Sequence, residues 1–143
     1  MFVLGFLIDE LEMTITGQHF SGYFHSVIRN MAEDEEPDED AVEANRQIVR
    51  YLSKAAGKET IDAMEKMTGN TVLHLVCELF TDLQMVSALI SQGAELNPVR
   101  NDDMMPLAII NKKYADNPDS DVLYDIKELM ERKGARSSWR SFQ

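Results

Sequence analysis

Cysteine, tryptophan, histidine and basic residues are all scarce in this chain, which has one Cys, one Trp and three His in 143 residues. A lone thiol, Cys77, cannot close an internal disulfide, and it leaves no cysteine zinc site. His19 and His25 stand six apart and do not share a helix face, so a two-histidine metal site has no support. Lysine and arginine number 14 against 25 acids, for a net charge of −11. Affinity for phosphates comes largely from those two bases, so the balance argues against direct nucleic-acid binding. Long apolar runs are missing too. Met1–Ile8 is too short to cross a bilayer, runs directly into Asp9, Glu10 and Glu12, and lacks the basic start of a secretory signal. The expectation is a soluble, cytoplasmic chain with no membrane role. A glycine-rich phosphate loop, a serine elbow and a zincin motif are likewise absent, and no cofactor is expected.

Apolar residues nevertheless make up 44% of the chain, enough for one domain with a core across residues 1–143. The acidity is concentrated at the front. Residues 1–45 hold eleven acids against the single base Arg29, a balance of −10, while the remaining residues hold 14 acids and 13 bases. Seven of those acids fall within the eight residues Glu33, Asp34, Glu35, Glu36, Pro37, Asp38, Glu39 and Asp40. Pro37 and mutual repulsion predict an exposed loop over 33–40.

The dominant pattern is an internal repeat. Thr71-Val72-Leu73-His74-Leu75-Val76-Cys77 opens a unit that closes on Gly93-Ala94-Glu95-Leu96-Asn97, and Met105-Pro106-Leu107-Ala108-Ile109-Ile110 opens a second that closes on Gly134-Ala135-Arg136. Leu73 and Leu107 are 34 residues apart, a period of solenoid arrays. Thr71 stands at an N-cap, Thr81-Asp82 caps a following helix, and Leu83, Val86, Leu89 and Ile90 form its apolar stripe. Gly93 occupies the position after a helix where a left-handed backbone is wanted. In the second unit Pro106 takes the first turn, an insertion at 111–120 is expected to form a loop, and Asp119, Ser120 or Asp121 caps a helix through Ile126 and Met130. A degenerate first unit is expected over 17–58, with Gly17–Met31 as one helix and Gln47–Leu52 within another. Residues 1–16 are a cap segment, helical or extended, and residues 137–143 a tail.

These openings and closings resemble the ankyrin repeat, whose units start near Thr-Pro-Leu-His-x-Ala and end near Gly-Ala-x-x-Asn. The resemblance implies an all-α fold, an ankyrin-like α-solenoid of stacked antiparallel helix pairs with atypical end units. It covers 66–99 and 100–136, and reaches back weakly to residue 17. Val72 stands where the family has proline, Asp103 where it has the turn glycine, Met105 where it has threonine and Ala108 where it has histidine. The family's histidine ties backbone and neighbouring repeats, which implies a structural role for His74, with Cys77 at a small packed position. Arrays of this family hold proteins on their concave side. By position that nominates Thr68, Asn70 and Val72, then Glu78, Phe80 and Thr81, then Arg100, Asn101, Asp102 and Met104.

Two function classes follow. The leading one is a non-catalytic module that binds and inhibits or sequesters a protein partner, with Glu33, Asp34, Glu35, Glu36, Asp38, Glu39 and Asp40 docking on a basic surface. A sharper form is an acidic nucleic-acid mimic blocking a nucleic-acid-handling enzyme. The competing class is an enzyme, for which His74 and Cys77, three apart on a helix, are the only nucleophile-base pair. The carboxylates at Asp116–Asp121 fail as an EF-hand, since neither register supplies the glycine and the closing glutamate. A homodimer through Met1–Leu11 is a further expectation.

Overall fold

A computed structural model describes residues 17–34, 36–56 and 58–136. The cap segment at 1–16 with its dimer contact, Glu35, and the tail at 137–143 lie outside the described residues. Among those described, the regular structure is entirely helical: α1 (Gly17–Ala32), α2 (Glu39–Ala55), α3 (Lys58–Ile61), α4 (Val72–Leu79), α5 (Leu83–Ser91), α6 (Pro106–Asp116) and α7 (Asp121–Arg132).

Local chemistry sets most of the helix ends. Thr71, Asp82 and Ser120 cap α4, α5 and α7, accepting from the backbone N–H of His74, Met85 and Leu123. Pro106 occupies the first turn of α6, where its missing N–H is harmless. Gly93 and Gly134 follow α5 and α7 with φ of +86° and +104°.

Two expected loops are shortened. Asp38 caps α2, its carboxylate accepting from Ala41 N–H at 2.8 Å, and Glu39 and Asp40 form the first helical turn. Acids there complement the positive end of the helix, so only residues 33–37 remain as link. The expected loop at 111–120 is helical as far as Asp116. Nothing between Asn111 and Asp116 breaks a helix; the first breaker is Asn117-Pro118, since a residue before proline is driven out of the helical region. Lys113 gives that extension a purpose. Its ammonium donates to the carbonyls of Cys77 at 2.5 Å and Phe80 at 3.2 Å, neutralising the C-terminal end of α4. Burial also pushes its pKa down.

The helices pack in two rows. α1 lies on α4 and α4 on α6; α2 lies on α5 and α5 on α7; α1–α2, α4–α5 and α6–α7 form the cross-pairs. The core runs between the rows through Phe24, Ile28, Val49, Leu52, Leu73, Val76, Val86, Leu89, Ile110, Ile126 and Met130. Full burial of each such side chain contributes about 1.5–3 kcal/mol. The cross-pair links at 33–38, 80–82 and 117–120 share one edge of the molecule. The segments leading from one pair to the next, 62–71 and 92–105, form fingers at the opposite edge.

Candidate protein-interaction face

Each finger is a tight, hydrogen-bonded turn. In the first, Glu65 N–H donates to Asn70 O at 2.9 Å and Gly69 N–H to Glu65 O at 2.8 Å. In the second, Arg100 N–H donates to Met104 O at 3.1 Å and Asp103 N–H to Arg100 O at 2.9 Å. Gly69 has φ +78°, and Asp103, 34 residues on, adopts φ +67° in its place. Asp103 thus keeps the turn that a missing glycine put in question, since a short polar side chain tolerates the left-handed region better than most. The fingers are joined to each other, Asn101 donating from its backbone N–H to Thr68 O and from its side chain to Met67 O, both at 2.9 Å.

Three fastenings between successive pairs each occur twice. His25 Nε2 donates to Asn70 O at 3.0 Å, and His74 Nε2 donates to Met104 O, 34 residues further, also at 3.0 Å. Arg29 of α1 forks onto Glu65 of the next finger at 2.9 and 2.6 Å, while Glu78 of α4 pairs with Arg100 of the finger after that. Asp62 accepts from Glu95 N–H and Asn97 from Arg136 N–H, both at 2.7 Å. The second fastening inverts its charges between the two occurrences.

Asn70, only 5% exposed, connects the two ion pairs. Its amide reaches Glu65 Oε1 at 3.4 Å and its carbonyl oxygen accepts from Arg100 Nη1 at 3.0 Å. Arg100 also pairs with Asp102 at 2.8 Å. The result is one polar lattice running Arg29–Glu65–Asn70–Arg100 with Glu78 and Asp102 at its far end. Hydrogen bonding from Arg29, reinforced by Thr68, holds the Glu65 carboxyl down at about 2. The Asp102 carboxyl is lowered by its bond from Arg100.

Of the nominated residues, the fold brings Thr68, Asn70, Glu78, Arg100, Asn101, Asp102 and Met104 onto this one face. Val72 is an exception: it is fully buried in the core and cannot touch a partner, because the first helical turn points it between the rows. Phe80 packs partly against the core, and Thr81 is exposed at the link edge. Glu33, Asp34 and Glu36 are exposed on that same link edge and do not join the finger face. Asp38, Glu39 and Asp40 serve the start of α2.

Met67 was legible only in hindsight. At the tip of the first finger it is 88% exposed, with Met64 at 52% beside it. His25, Arg29 and Glu65 were missed as well. Aligning Phe24-His25 with Leu73-His74 would have found the first two, but the acidic link stretches that spacing beyond the repeat period.

His74 and Cys77 are not arranged as a reacting pair. Thr71 N–H donates to His74 Nδ1 at 3.0 Å, which leaves the proton on Nε2 for Met104 O, so both ring nitrogens are engaged within the backbone frame. Burial pushes the His74 pKa down and raises the Cys77 thiol to about 12. Among the described residues no group of three His, Cys, Asp or Glu side chains is placed to hold a metal ion. No helix among them is long and apolar enough to cross a membrane.

Comparison of the chain with protein-family models, with curated proteins and with solved structures finds no match.

Proposed function

We propose that the chain is an ankyrin-like α-solenoid of three helix pairs, α1–α2, α4–α5 and α6–α7, which binds a protein partner on its finger face and inhibits or sequesters it. Three fastenings used twice at corresponding positions support the repeat reading. The observation that carries the binding reading is Met67, a large apolar side chain held almost wholly in water on a finger pinned from both sides. A free chain gains nothing from that exposure. Preordered backbone lowers the entropy lost on association, and burying one methionine returns about 1.5–3 kcal/mol. The Arg29–Asp102 lattice around it supplies charged groups of both signs for a polar rim.

The nucleic-acid-mimic reading rests on Glu33, Asp34 and Glu36, on the opposite edge. One experiment separates the two. A photo-crosslinking residue is placed in turn at Met67, at Glu36 and at Ser91 on the outer row, and adducts formed in the native cell extract are identified by mass spectrometry. Adducts to one defined protein from Met67 support the finger face. Adducts from Glu36 alone favour the mimic, and adducts from Ser91 alone refute both. Met67→Asp is expected to weaken the captured complex at least tenfold while leaving the melting temperature unchanged.

A further inference from the structure

The outer row carries a feature the finger face does not explain. Between α2 and α5 runs a groove of about 710 Å³ with an apolar floor that includes Tyr51, Leu83 and Ala88, and with Arg50 and Lys54 at its rim. On the other side of α5 lies a second groove of about 640 Å³, floored by Ile90 and Leu129 and rimmed by Arg132 and Lys133. The two share Ser87 and Ser91. Four cations and no carboxylate line this continuous surface, in a chain whose net charge is −11. An acidic, apolar occupant is what such a surface fits.

The chain itself contains that chemistry. Met1–Glu12 reads Phe2, Val3, Leu4, Phe6, Leu7, Ile8 and Leu11 with Asp9, Glu10 and Glu12 and no base. Reach permits the match. The segment leads into α1 at Gly17; α3, which follows the end of α2 by two residues, packs on α1. The start of α1 and the C-terminal end of α2, where Lys54 lies, therefore share an edge. Sixteen residues span up to about 50 Å when extended, more than twice the roughly 24 Å length of α1 itself. Tethering also gives the segment an effective concentration on the order of millimolar, an advantage over any free acidic peptide that the −11 chain repels. We propose that the twin grooves flanking α5 are the seat of the chain's own Met1–Glu12 segment, with its carboxylates on Arg50, Lys54, Arg132 and Lys133 and its apolar residues on the groove floor.

The test is a cysteine pair in the full chain, Phe6→Cys with Ser87→Cys, oxidised at micromolar concentration. Cys77 does not interfere, being fully buried with its thiol at about 12. The expected product is an intramolecular disulfide in the monomer, formed at least tenfold faster than in the pair Phe6→Cys with Asp119→Cys on the link edge. Equal rates in the two pairs overturn the proposal, and so does a disulfide found only in dimers, which assigns the groove to a second copy. A second measurement uses no new thiol. Lys54→Gln with Lys133→Gln is expected to speed glutamyl-endopeptidase cleavage after Glu10 and Glu12 about fivefold at an unchanged melting temperature. Unchanged cleavage refutes the electrostatic seating.

Discussion

Replacing His74 with alanine tests the central fastening most directly. The side chain is fully buried, accepts from Thr71 N–H through Nδ1 and donates through Nε2 to Met104 O. Its removal strands one buried donor and one part-buried acceptor, at about 1–3 kcal/mol each, with the acceptor at the low end because water reaches it. The void left by the ring adds about 1 kcal/mol. The expected loss is therefore about 3–4 kcal/mol, which at a urea slope of about 2 kcal/mol/M lowers the unfolding midpoint by about 1.5–2 M. A pH signature accompanies it. Burial holds the folded imidazole below its ordinary value of 6.5, so the unfolded chain takes up the proton first. The His74 contribution is complete above about pH 6.5 and is lost as the pH falls through the lower folded value. Urea titrations from pH 8 to pH 5 on both proteins read the difference directly: the gap between parent and variant should narrow in acid. A loss under about 1 kcal/mol, or a gap that stays constant down to pH 5, refutes the assignment.

The two kinds of finger glycine should respond in opposite degree. A Cβ on Gly69 would sit 2.8 Å from Asn101 Oδ1, 2.9 Å from Asn101 N and 3.0 Å from Arg100 Cα, whereas one on Gly93 meets nothing within 4 Å. Gly93→Ala should cost about 1 kcal/mol for its left-handed backbone alone, and Gly69→Ala more than about 2 kcal/mol, by thermal or urea unfolding. Glu65→Gln removes a carboxylate lowered to about 2 by Arg29. After allowance for the exposure of Arg29, the expected cost is about 1–2 kcal/mol at pH 7. Because the folded value lies below the unfolded one, that difference persists above about pH 4.5 and vanishes as the pH falls to about 2. An acid titration of stability that shows no convergence of the two proteins removes the lattice from the argument.

Helix identity was legible wherever a cap and an apolar stripe coincided. Thr71, Asp82, Ser120 and Pro106 marked the starts of four helices, and Gly93 and Gly134 marked two ends. The errors arose where composition was read without helix electrostatics. A run of seven acids looks like a repelled loop, yet Asp38, Glu39 and Asp40 are welcome at the positive end of α2. Asn111–Ser120 looked like an insertion because it departs from the repeat length, but length alone does not break a helix, and Lys113 finds the carbonyl end of α4 only in three dimensions. The lattice of Arg29, Glu65 and Asn70 joins residues 36 or more positions apart on surfaces that polarity alone leaves unassigned. Its charge pairs differ in sign from unit to unit, so a search for repeated letters passes over them.

That inversion has a consequence for how the chain finds its own order. A stack held by identical contacts tolerates skipping, because the first pair can settle on the third as comfortably as on the second. Here the skipped arrangement would bring Arg29 against Arg100, two guanidinium groups, where the native order gives Arg29 to Glu65 and Glu78 to Arg100. Each joint thus carries a key cut for one lock, and a chain that looped out its middle pair would be turned away by charge before its apolar surfaces could close.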